Sequence, residues 1–279
     1  MSLRRQKGFT IIEVSLFLAL SSFLMIGLIV GTNMSVSRQR YNDSINNFAD
    51  YLRGAYSDVL NVSNYSTDSS DNFNGGRSTT AVYGKFIVFG EAETAGSTNS
   101  GTTVYSYDVV GNAISSSIAS GLTGNTILDM LQSNTIKAAI IDNTDCQSAS
   151  ACNNSFYRME SYNIPWEGRA ESSSGALARA AVLIVRSPIT GTIRTYTFST
   201  DSGSELPSFH LSLGVASARD NFRTFLSRMS QNDLDLCIDS DDNQNTNRRD
   251  VRVIGRASNS TGVFLVEMDG NDSKCTGRG

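Results

Sequence analysis

Oxygen-bearing side chains alternate along an acidic stretch near the C-terminus with the spacing of a calcium-binding loop. Calcium prefers carboxylate and amide oxygens, and such a loop places several of them at every second residue before a final acid. Five positions match this spacing: Asp239, Asp241, Asn243, Asn245 and Asp250. Gln244 stands where the loop needs glycine, and Asp250 stands where it has a bidentate glutamate. Calcium is therefore the only cofactor that the sequence suggests, and the two departures favour a solvated hairpin turn over an ion site.

Four arginines lie beside this stretch and are candidates for contacting a nucleic acid backbone: Arg248, Arg249, Arg252 and Arg256. Alternation along a strand would place Arg252 and Arg256 on one face, as a DNA-binding surface would require. The acidic residues next to them offer local ion pairs, however, and the chain has 27 acidic against 23 basic residues. Local ion pairs are therefore a simpler explanation of the arginines than DNA binding.

The residues needed for nucleophilic catalysis are scarce. His210 is the only histidine of the chain, and an imidazole that is simply hydrogen-bonded in a strand or loop explains it better than a catalytic base. The sequence contains no G-x-x-x-x-G-K-[ST] phosphate loop. We therefore predict that the protein is not an enzyme.

The four cysteines have a pattern that favours disulfides over a zinc site. They are Cys146, Cys152, Cys237 and Cys275, and none belongs to a C-x-x-C motif. An even number of cysteines favours two disulfides if the chain leaves the cytoplasm, as the N-terminal segment described next predicts. Of the three possible connectivities we predict the sequential one, Cys146–Cys152 and Cys237–Cys275, with four unpaired thiols as the alternative.

A single carboxylate interrupts the apolar segment at the start of the chain. Residues 9–30 carry only Glu13 as a charge, and as a helix they would span about 33 Å, enough to cross a bilayer core of about 30 Å. Arg4, Arg5 and Lys7 precede the segment without a nearby acid. The positive-inside rule therefore keeps the N-terminus in the cytoplasm and places the rest of the chain across the membrane.

Two simpler interpretations leave parts of this segment unexplained. A cleaved signal peptide would need a shorter apolar region and a small-residue cleavage site, which the residues after Gly31 do not provide. A plain signal anchor explains the length but not Glu13, whose charge is costly inside a bilayer and calls for a partner. Cleavage of the peptide bond between Gly8 and Phe9 would supply a partner for Glu13, because the new α-amino group would lie one helical turn before it.

Residues 7–13, KGFTIIE, followed by an uninterrupted apolar helix, resemble the prepilin processing site of type IV pilins and type II secretion pseudopilins. The resemblance implies that a prepilin peptidase cuts after Gly8 and methylates the amine of Phe9. It also implies that Glu13 pairs with the N-terminus of a neighbouring subunit in a filament. Many major pilins have a proline near the end of this segment, whereas this chain has Gly27 and Gly31 there.

The rest of the chain predicts an α+β fold, in which a long helix over residues 9–62 packs on a mainly antiparallel sheet with helical insertions. An apolar stripe marks the second part of that helix: Tyr41, Ile45, Phe48, Leu52, Ala55 and Val59. Strand signals fall at 81–89, 102–110, 112–118, 180–186, 192–199, 235–238, 251–256 and 263–268. Helical spacing marks residues 125–141 and, further on, Ala218, Phe222, Phe225 and Met229.

These observations divide the chain into a leader (1–8), a transmembrane or filament-core helix (9–31), its amphipathic continuation (32–62) and an extracytoplasmic globular domain (63–279). By resemblance the protein is a minor pilin or a pseudopilin in a filament that serves adhesion, twitching motility, DNA uptake or secretion. Its implied partners are the prepilin peptidase, other major and minor pilins, the inner-membrane assembly platform and the cytoplasmic membrane. The alternative is an anchored binding or adhesion domain that does not polymerise.

Overall fold

A long N-terminal helix is followed by a region rich in antiparallel strands, so the predicted α+β class is confirmed. The computed structural model describes residues 10–61, 80–90, 101–112, 127–132, 139–140, 160–166, 168–171, 179–200, 222, 224–239, 249–266 and 275. The chain divides into two compact units, Met1–Asp43 and Ser44–Gly279. The boundary falls within the long helix, inside the predicted amphipathic continuation.

The long helix, α1, comprises 50 residues, Ile11–Leu60. At 1.5 Å per residue it is about 75 Å long. Such a length is possible because the chain has no proline before Pro165 to interrupt the backbone hydrogen bonds. The bounds agree with the prediction to within two residues at each end, although Phe9 and Val62 themselves lie outside the described residues.

Ten strands, a second α-helix and a 3₁₀ turn follow α1 with defined bounds in the part of the chain that the structure describes. The helix is α2 (Ile127–Gln132), and a 3₁₀ turn occupies Ser260–Gly262. The strands are β1 (Thr80–Phe89), β2 (Thr103–Asn112), β3 (Ala139–Ile140), β4 (Glu160–Asn163), β5 (Arg169–Glu171), β6 (Arg179–Arg186), β7 (Ile193–Thr200), β8 (Leu234–Asp239), β9 (Arg249–Val253) and β10 (Val263–Val266).

The strands form two antiparallel sheets. The first has the order β3-β2-β1-β6-β7, with β4 also paired to β2, and the second has the order β10-β9-β8-β5. The predicted hairpin of β6 and β7 is confirmed, with Arg179 opposite Thr200 and Arg186 opposite Ile193. Its turn is closed by a bond from the Ser187 amide to the Thr192 carbonyl (2.8 Å).

The second part of α1 contacts both sheets. Phe48 meets Phe89 of the first sheet edge to face at 6.0 Å between ring centroids. The Tyr56 hydroxyl shares a buried hydrogen bond with the Thr195 hydroxyl of the same sheet (2.9 Å). Arg53 donates from Nε to the Val263 carbonyl of the second sheet (3.1 Å). This part of the helix is therefore an internal element of the globular unit.

The apolar stripe predicted for this part of α1 is the face that it buries. Ile45, Phe48, Leu52, Ala55 and Val59 are all buried. Each large side chain among them contributes about 2 kcal/mol by leaving water. Charged residues that lie off the stripe are exposed or half-buried: Arg38, Arg40, Asp43, Asp50, Arg53 and Asp58.

A second apolar layer covers the opposite face of the first sheet. Successive strand residues point to opposite faces, so Phe86 lies on the other side of β1 from Phe89. The Phe86 ring meets those of Phe222 and Phe225 edge to face, at 5.2 and 5.7 Å. Residues 222 and 224–226 are helical, as predicted, but Met229 lies beyond the end of the helix, and Ala218 lies outside the described residues. The first sheet is thus sandwiched between α1 and these shorter elements.

One predicted helix is partly wrong. The helical spacing over residues 125–141 corresponds to α2 at its start, but Ala139 and Ile140 form β3 instead. They pair with Val110 and Val109 of β2. A short run of apolar residues is compatible with a helix or a strand. Ala139 and Ile140 form a strand because the edge of β2 supplies partners for their backbone hydrogen bonds.

The bounds of some strands also differ from the prediction. β9 begins at Arg249 and ends at Val253, whereas the predicted strand was 251–256. It ends early because Gly255 lies against the Asn232 backbone, where a side chain would overlap, and its amide donates to the Asp233 carboxylate (3.1 Å). β4 and β5 were not predicted, since strands of three or four residues show too little alternation. Residues 113–118 and 267–268 of two predicted strands lie outside the described residues.

We predict opposite effects for two glycine-to-alanine substitutions. A Cβ at Gly84, next to the bulge in β1, would overlap the Ile184 carbonyl of β6, whereas a Cβ at Gly54 of α1 meets nothing within 4 Å. Gly84→Ala should lower the free energy of unfolding by about 1–3 kcal/mol. Gly54→Ala should leave it unchanged or raise it by up to about 1 kcal/mol, because alanine favours helix. Urea unfolding of the two variants measures both values, and equal stabilities would contradict the described packing of β1 on β6.

Candidate functional site

The first half of α1 exposes a continuous apolar surface. Its large apolar side chains from Ile11 to Val30 are between 47 and 88% exposed. Of the described helices, α1 is the one long and apolar enough to span a membrane. A signal sequence would satisfy the same criterion, so length and composition indicate membrane affinity without fixing its form. A hydrocarbon or protein environment must cover this surface, because so large an apolar area is unfavourable in water.

Glu13 accepts hydrogen bonds from Thr10 at the start of this surface. The Thr10 amide and hydroxyl donate to Glu13 Oε2 at 2.9 and 3.0 Å, and the Glu13 amide donates back to the Thr10 hydroxyl at 3.3 Å. Such a reciprocal arrangement is a capping box, which satisfies amides that the first helical turn leaves without partners. The sequence contains T-x-x-E, the signal for this cap. We nevertheless predicted only an ammonium, the α-amino group of Phe9, as the partner of Glu13. Gly8 and Phe9, the predicted processing site, lie outside the described residues.

One of the two predicted disulfides is confirmed. Cys237 of β8 is bonded to Cys275, with 5.5 Å between their Cα atoms. Both cysteines are buried, and the bond closes a loop of 38 residues at the end of the chain. Cys146 and Cys152 lie outside the described residues, so their pairing stays a prediction.

Only two of the five predicted calcium ligands lie within the described residues. Asp239 ends β8 opposite Arg169, while Asp250 is buried in β9 opposite Cys237. Asp241, Asn243 and Asn245 belong to the segment between these strands that is not described. Over the part of the chain that is described, no three acidic, histidine or cysteine side chains are placed to hold a metal ion. Calcium binding therefore stays the untested alternative to the predicted hairpin turn.

The described arginines of the predicted nucleic acid surface have different surroundings. Arg252 forms an ion pair with Asp235 through Nε, and its Nη2 lies 3.7 Å from Asp250. The hydrogen bond to Asp235 raises the pKa of Arg252 above its ordinary value. Arg249 is half-buried in β9, and Arg256 is exposed beyond the end of that strand.

These surroundings agree with local ion pairs as the explanation of Arg252. The placement of Arg252 and Arg256 on one strand face is wrong, because β9 ends before Arg256. Arg248 lies outside the described residues. DNA binding by this region stays an untested alternative to the predicted local ion pairs.

A cluster of charges that the sequence did not reveal lies where α1 meets the first sheet. Lys85 of β1 is 12% exposed, and its Nζ lies 3.1 Å from Asp108, 3.4 Å from Glu160 and 4.0 Å from Asp58 of α1. Burial lowers the pKa of Lys85, but the carboxylates outweigh this effect and raise it above its ordinary value. The amine therefore stays protonated at neutral pH and acts as an ion-pair partner of three elements. The four residues are far apart in the sequence, so no spacing could have indicated them.

No family model, curated protein or solved structure matches the chain. The features that bear on function are the exposed apolar half of α1 and the Thr10–Glu13 pair at its start. The apolar half of α1 can lie in a bilayer or pack against other helices. The Thr10–Glu13 pair places a hydrogen-bonded carboxylate at the end of that apolar surface.

We predict that Lys85→Met destabilises the protein in a pH-dependent way. Without the ammonium, the carboxylates of Asp58, Asp108 and Glu160 repel one another at neutral pH, at a cost of about 1–2 kcal/mol that is limited by their partial exposure. Because the pKa of Lys85 is raised in the folded protein, its ammonium contributes stability below its ordinary pKa, and the contribution is lost as the pH rises through the raised value, so the difference in stability should shrink from pH 7 to about pH 11. Urea unfolding at both pH values measures this difference in stability.

Lys85→Arg keeps the charge and serves as the control. A deficit in Lys85→Met that is constant with pH would show that packing, not charge, explains it.

Proposed function

We propose that the chain is a structural subunit of a type IV pilus or pseudopilus, a minor pilin without enzymatic activity. The exposed apolar half of α1 holds the subunit in the cytoplasmic membrane before assembly and packs in the filament core afterwards. The globular unit is exposed outside the cytoplasm. The observation that carries the proposal is α1 itself, a single helix whose second half buries one face against two sheets while its first half exposes mostly apolar side chains and one carboxylate.

The proposal gives Glu13 two successive partners. In the isolated chain Thr10 supplies two hydrogen bonds to Oε2, which lowers the cost of keeping a carboxylate in or near the bilayer. A carboxylate has about four acceptor positions, so the bonds from Thr10 leave room for another donor. Once a prepilin peptidase has cut after Gly8, the methylated amine of Phe9 on a neighbouring subunit is such a donor. Charge pairing in a poorly solvated helix bundle then favours the assembled state.

An anchored domain that never polymerises is the second candidate, and the capping box is the observation that favours it. A carboxylate that is hydrogen-bonded by its own Thr10 has a structural role without any neighbour. The same helix would then serve only as a membrane anchor. The two candidates differ in whether the charge of Glu13 is needed or only its hydrogen bond.

We predict that the mature protein begins at Phe9 with a methylated amine. Replacing Gly8 by leucine should leave the leader attached, because by resemblance a side chain at this position obstructs the peptidase. Mass spectrometry of the purified protein measures both the mature mass and the methylation. Gly31→Leu is the matched control, since a Cβ at Gly31 meets nothing within 4 Å and the position lies outside the processing site. A fully shortened Gly8→Leu variant, or a functional wild type that keeps its leader, would contradict the proposal.

A pair of substitutions at Glu13 separates its charge from its capping bond. Glu13→Gln retains an oxygen that accepts from the Thr10 amide, as glutamine does in capping boxes, whereas Glu13→Ala removes both bond and charge. If the charge pairs with a neighbour, both variants should insert into the membrane normally but enter filaments at least about tenfold less than the wild type.

Immunoblots of sheared filaments and of membranes measure the two quantities in the same cells. Normal incorporation of Glu13→Gln would show that the charge is dispensable. A wild type that inserts but is never found in filaments would favour the anchored domain instead.

A further inference from the structure

Residues 259–261, Asn-Ser-Thr, match the N-x-[ST] motif of acceptors for N-linked glycans. The motif is short and frequent in a chain rich in asparagine and serine. Six other matches begin at Asn33, Asn42, Asn61, Asn64, Asn153 and Asn271. Only the match at Asn259 ends in threonine, whose branched Cβ restricts the positions of its hydroxyl. The motif alone does not select an acceptor, so the surroundings of each match decide.

The match at Asn259 lies at the tip of the turn between β9 and β10. Asn259, Ser260 and Thr261 are all exposed, whereas Gly262 after them is buried. The Ile254 amide donates to the Gly262 carbonyl (2.8 Å), which closes the base of the turn. Asn259 itself has an extended backbone, with φ of −155° and ψ of 175°. An enzyme can therefore reach the three residues of the motif without unfolding the second sheet.

The other matches with a fully described backbone lie inside a helix. Those at Asn33 and Asn42 belong to α1, whose backbone amides and carbonyls are already hydrogen-bonded to one another and are not available to an enzyme. Ser44, the last residue of the second of these, is buried and donates its hydroxyl to the Pro165 carbonyl (2.7 Å). Exposure and backbone conformation therefore favour Asn259 over both.

Thr261 forms hydrogen bonds with the side-chain amide of Asn259. The Thr261 amide and hydroxyl donate to Asn259 Oδ1 at 3.1 and 2.5 Å. Both bonds are accepted by the oxygen, so neither occupies Nδ2, the atom that a glycan joins. An amide nitrogen is a weak nucleophile because its electron pair is delocalised onto the carbonyl oxygen. When Nδ2 loses a proton, negative charge develops on Oδ1, and the two bonds from Thr261 stabilise this charge.

We propose that Asn259 is the acceptor of an N-linked glycan supplied by a polyprenyl diphosphate carrier. The inference rests on the proposed function, which places the globular unit outside the cytoplasm. A base of the transferase removes one proton from Nδ2, and the nitrogen attacks the anomeric carbon of the sugar. The bond from Nδ2 to this carbon forms, the bond from the carbon to the diphosphate oxygen breaks, and the polyprenyl diphosphate leaves. The glycan then covers the tip of the turn with a bulky polar group.

Mass spectrometry of the full-length chain, purified from the cells that produce it, tests this assignment. Trypsin alone leaves Asn259 and Asn271 in one peptide, residues 257–274. A second cleavage after Glu267 separates the two asparagines and gives the peptide 257–267. We expect this shorter peptide to carry a glycan that fragmentation places on Asn259. Protease added to spheroplasts of the same cells reports whether the globular unit lies outside the cytoplasm.

Substitutions in the turn separate the role of the hydroxyl from that of the amide. Thr261→Val removes the hydroxyl but keeps the backbone amide that bonds to Oδ1, and glycan occupancy at Asn259 should fall at least about fivefold. Thr261→Ser restores a hydroxyl and should recover most of the occupancy, whereas Asn259→Gln should abolish it. Both positions are exposed, so the thermal midpoints should stay close to that of the wild type. Asn61→Gln is the matched control, since Asn61 is exposed in the same unit, and it should leave the peptide 257–267 unchanged.

Each other outcome overturns the inference in a distinguishable way. An unmodified peptide 257–267, in a chain whose globular unit is digested in spheroplasts, contradicts the glycan site and leaves the filament function intact. Wild-type occupancy in Thr261→Val shows that the hydroxyl has no role in transfer. A glycan that fragmentation places on Ser260 or Thr261 identifies a hydroxyl as the acceptor instead. A globular unit that resists protease in spheroplasts contradicts its placement outside the cytoplasm, and with it both the proposed function and this inference.

Discussion

Burial of one face of α1 against two sheets is the interaction on which the rest of the structure depends. The stripe that includes Phe48 and Leu52 is fully removed from water, and the bonds from Tyr56 and Arg53 attach the helix to one sheet each. The helix has no proline to end it, so the same element that completes the core also carries the exposed apolar segment. The segment that is apolar enough to span a membrane and the face that completes the core therefore belong to one helix, and the globular unit cannot lose the second part of α1 without losing its own core.

Charged groups near both ends of α1 are stabilised by hydrogen bonds or ion pairs with neighbouring residues. At its start Glu13 is satisfied by Thr10 of the same turn, which makes an otherwise costly carboxylate compatible with an apolar surrounding. Near its end Asp58 joins the acids around Lys85, whose amine is kept protonated by them. Arg252 in the second sheet is paired with Asp235 in a similar fashion. These three charged groups are thus satisfied by neighbours within the chain, whereas the first half of α1 exposes a large apolar surface.

Local signals in the sequence predicted the elements whose own residues determine them. The length of α1, its buried stripe, the hairpin of β6 and β7 and the helical spacing around Phe225 followed from periodicity and from the absence of proline. Elements that owe their form to a distant partner were missed or misplaced. Ala139 and Ile140 form a strand because β2 has an edge to pair with, and β9 ends before Arg256 because Gly255 must approach Asn232.

The sequence by itself determined that an apolar helix with one carboxylate begins the chain, that it continues as an amphipathic helix, and that sheets follow, since these properties depend on residues within a few turns of one another. The tertiary structure alone decided that the Lys85 amine lies near three acids, and it selected the Cys237–Cys275 pairing from the connectivities that the sequence allowed. The physical reason is that ion pairs and disulfides depend on distances of a few ångströms. For Lys85 and Cys237, the partners that set those distances come from segments that are remote in the chain.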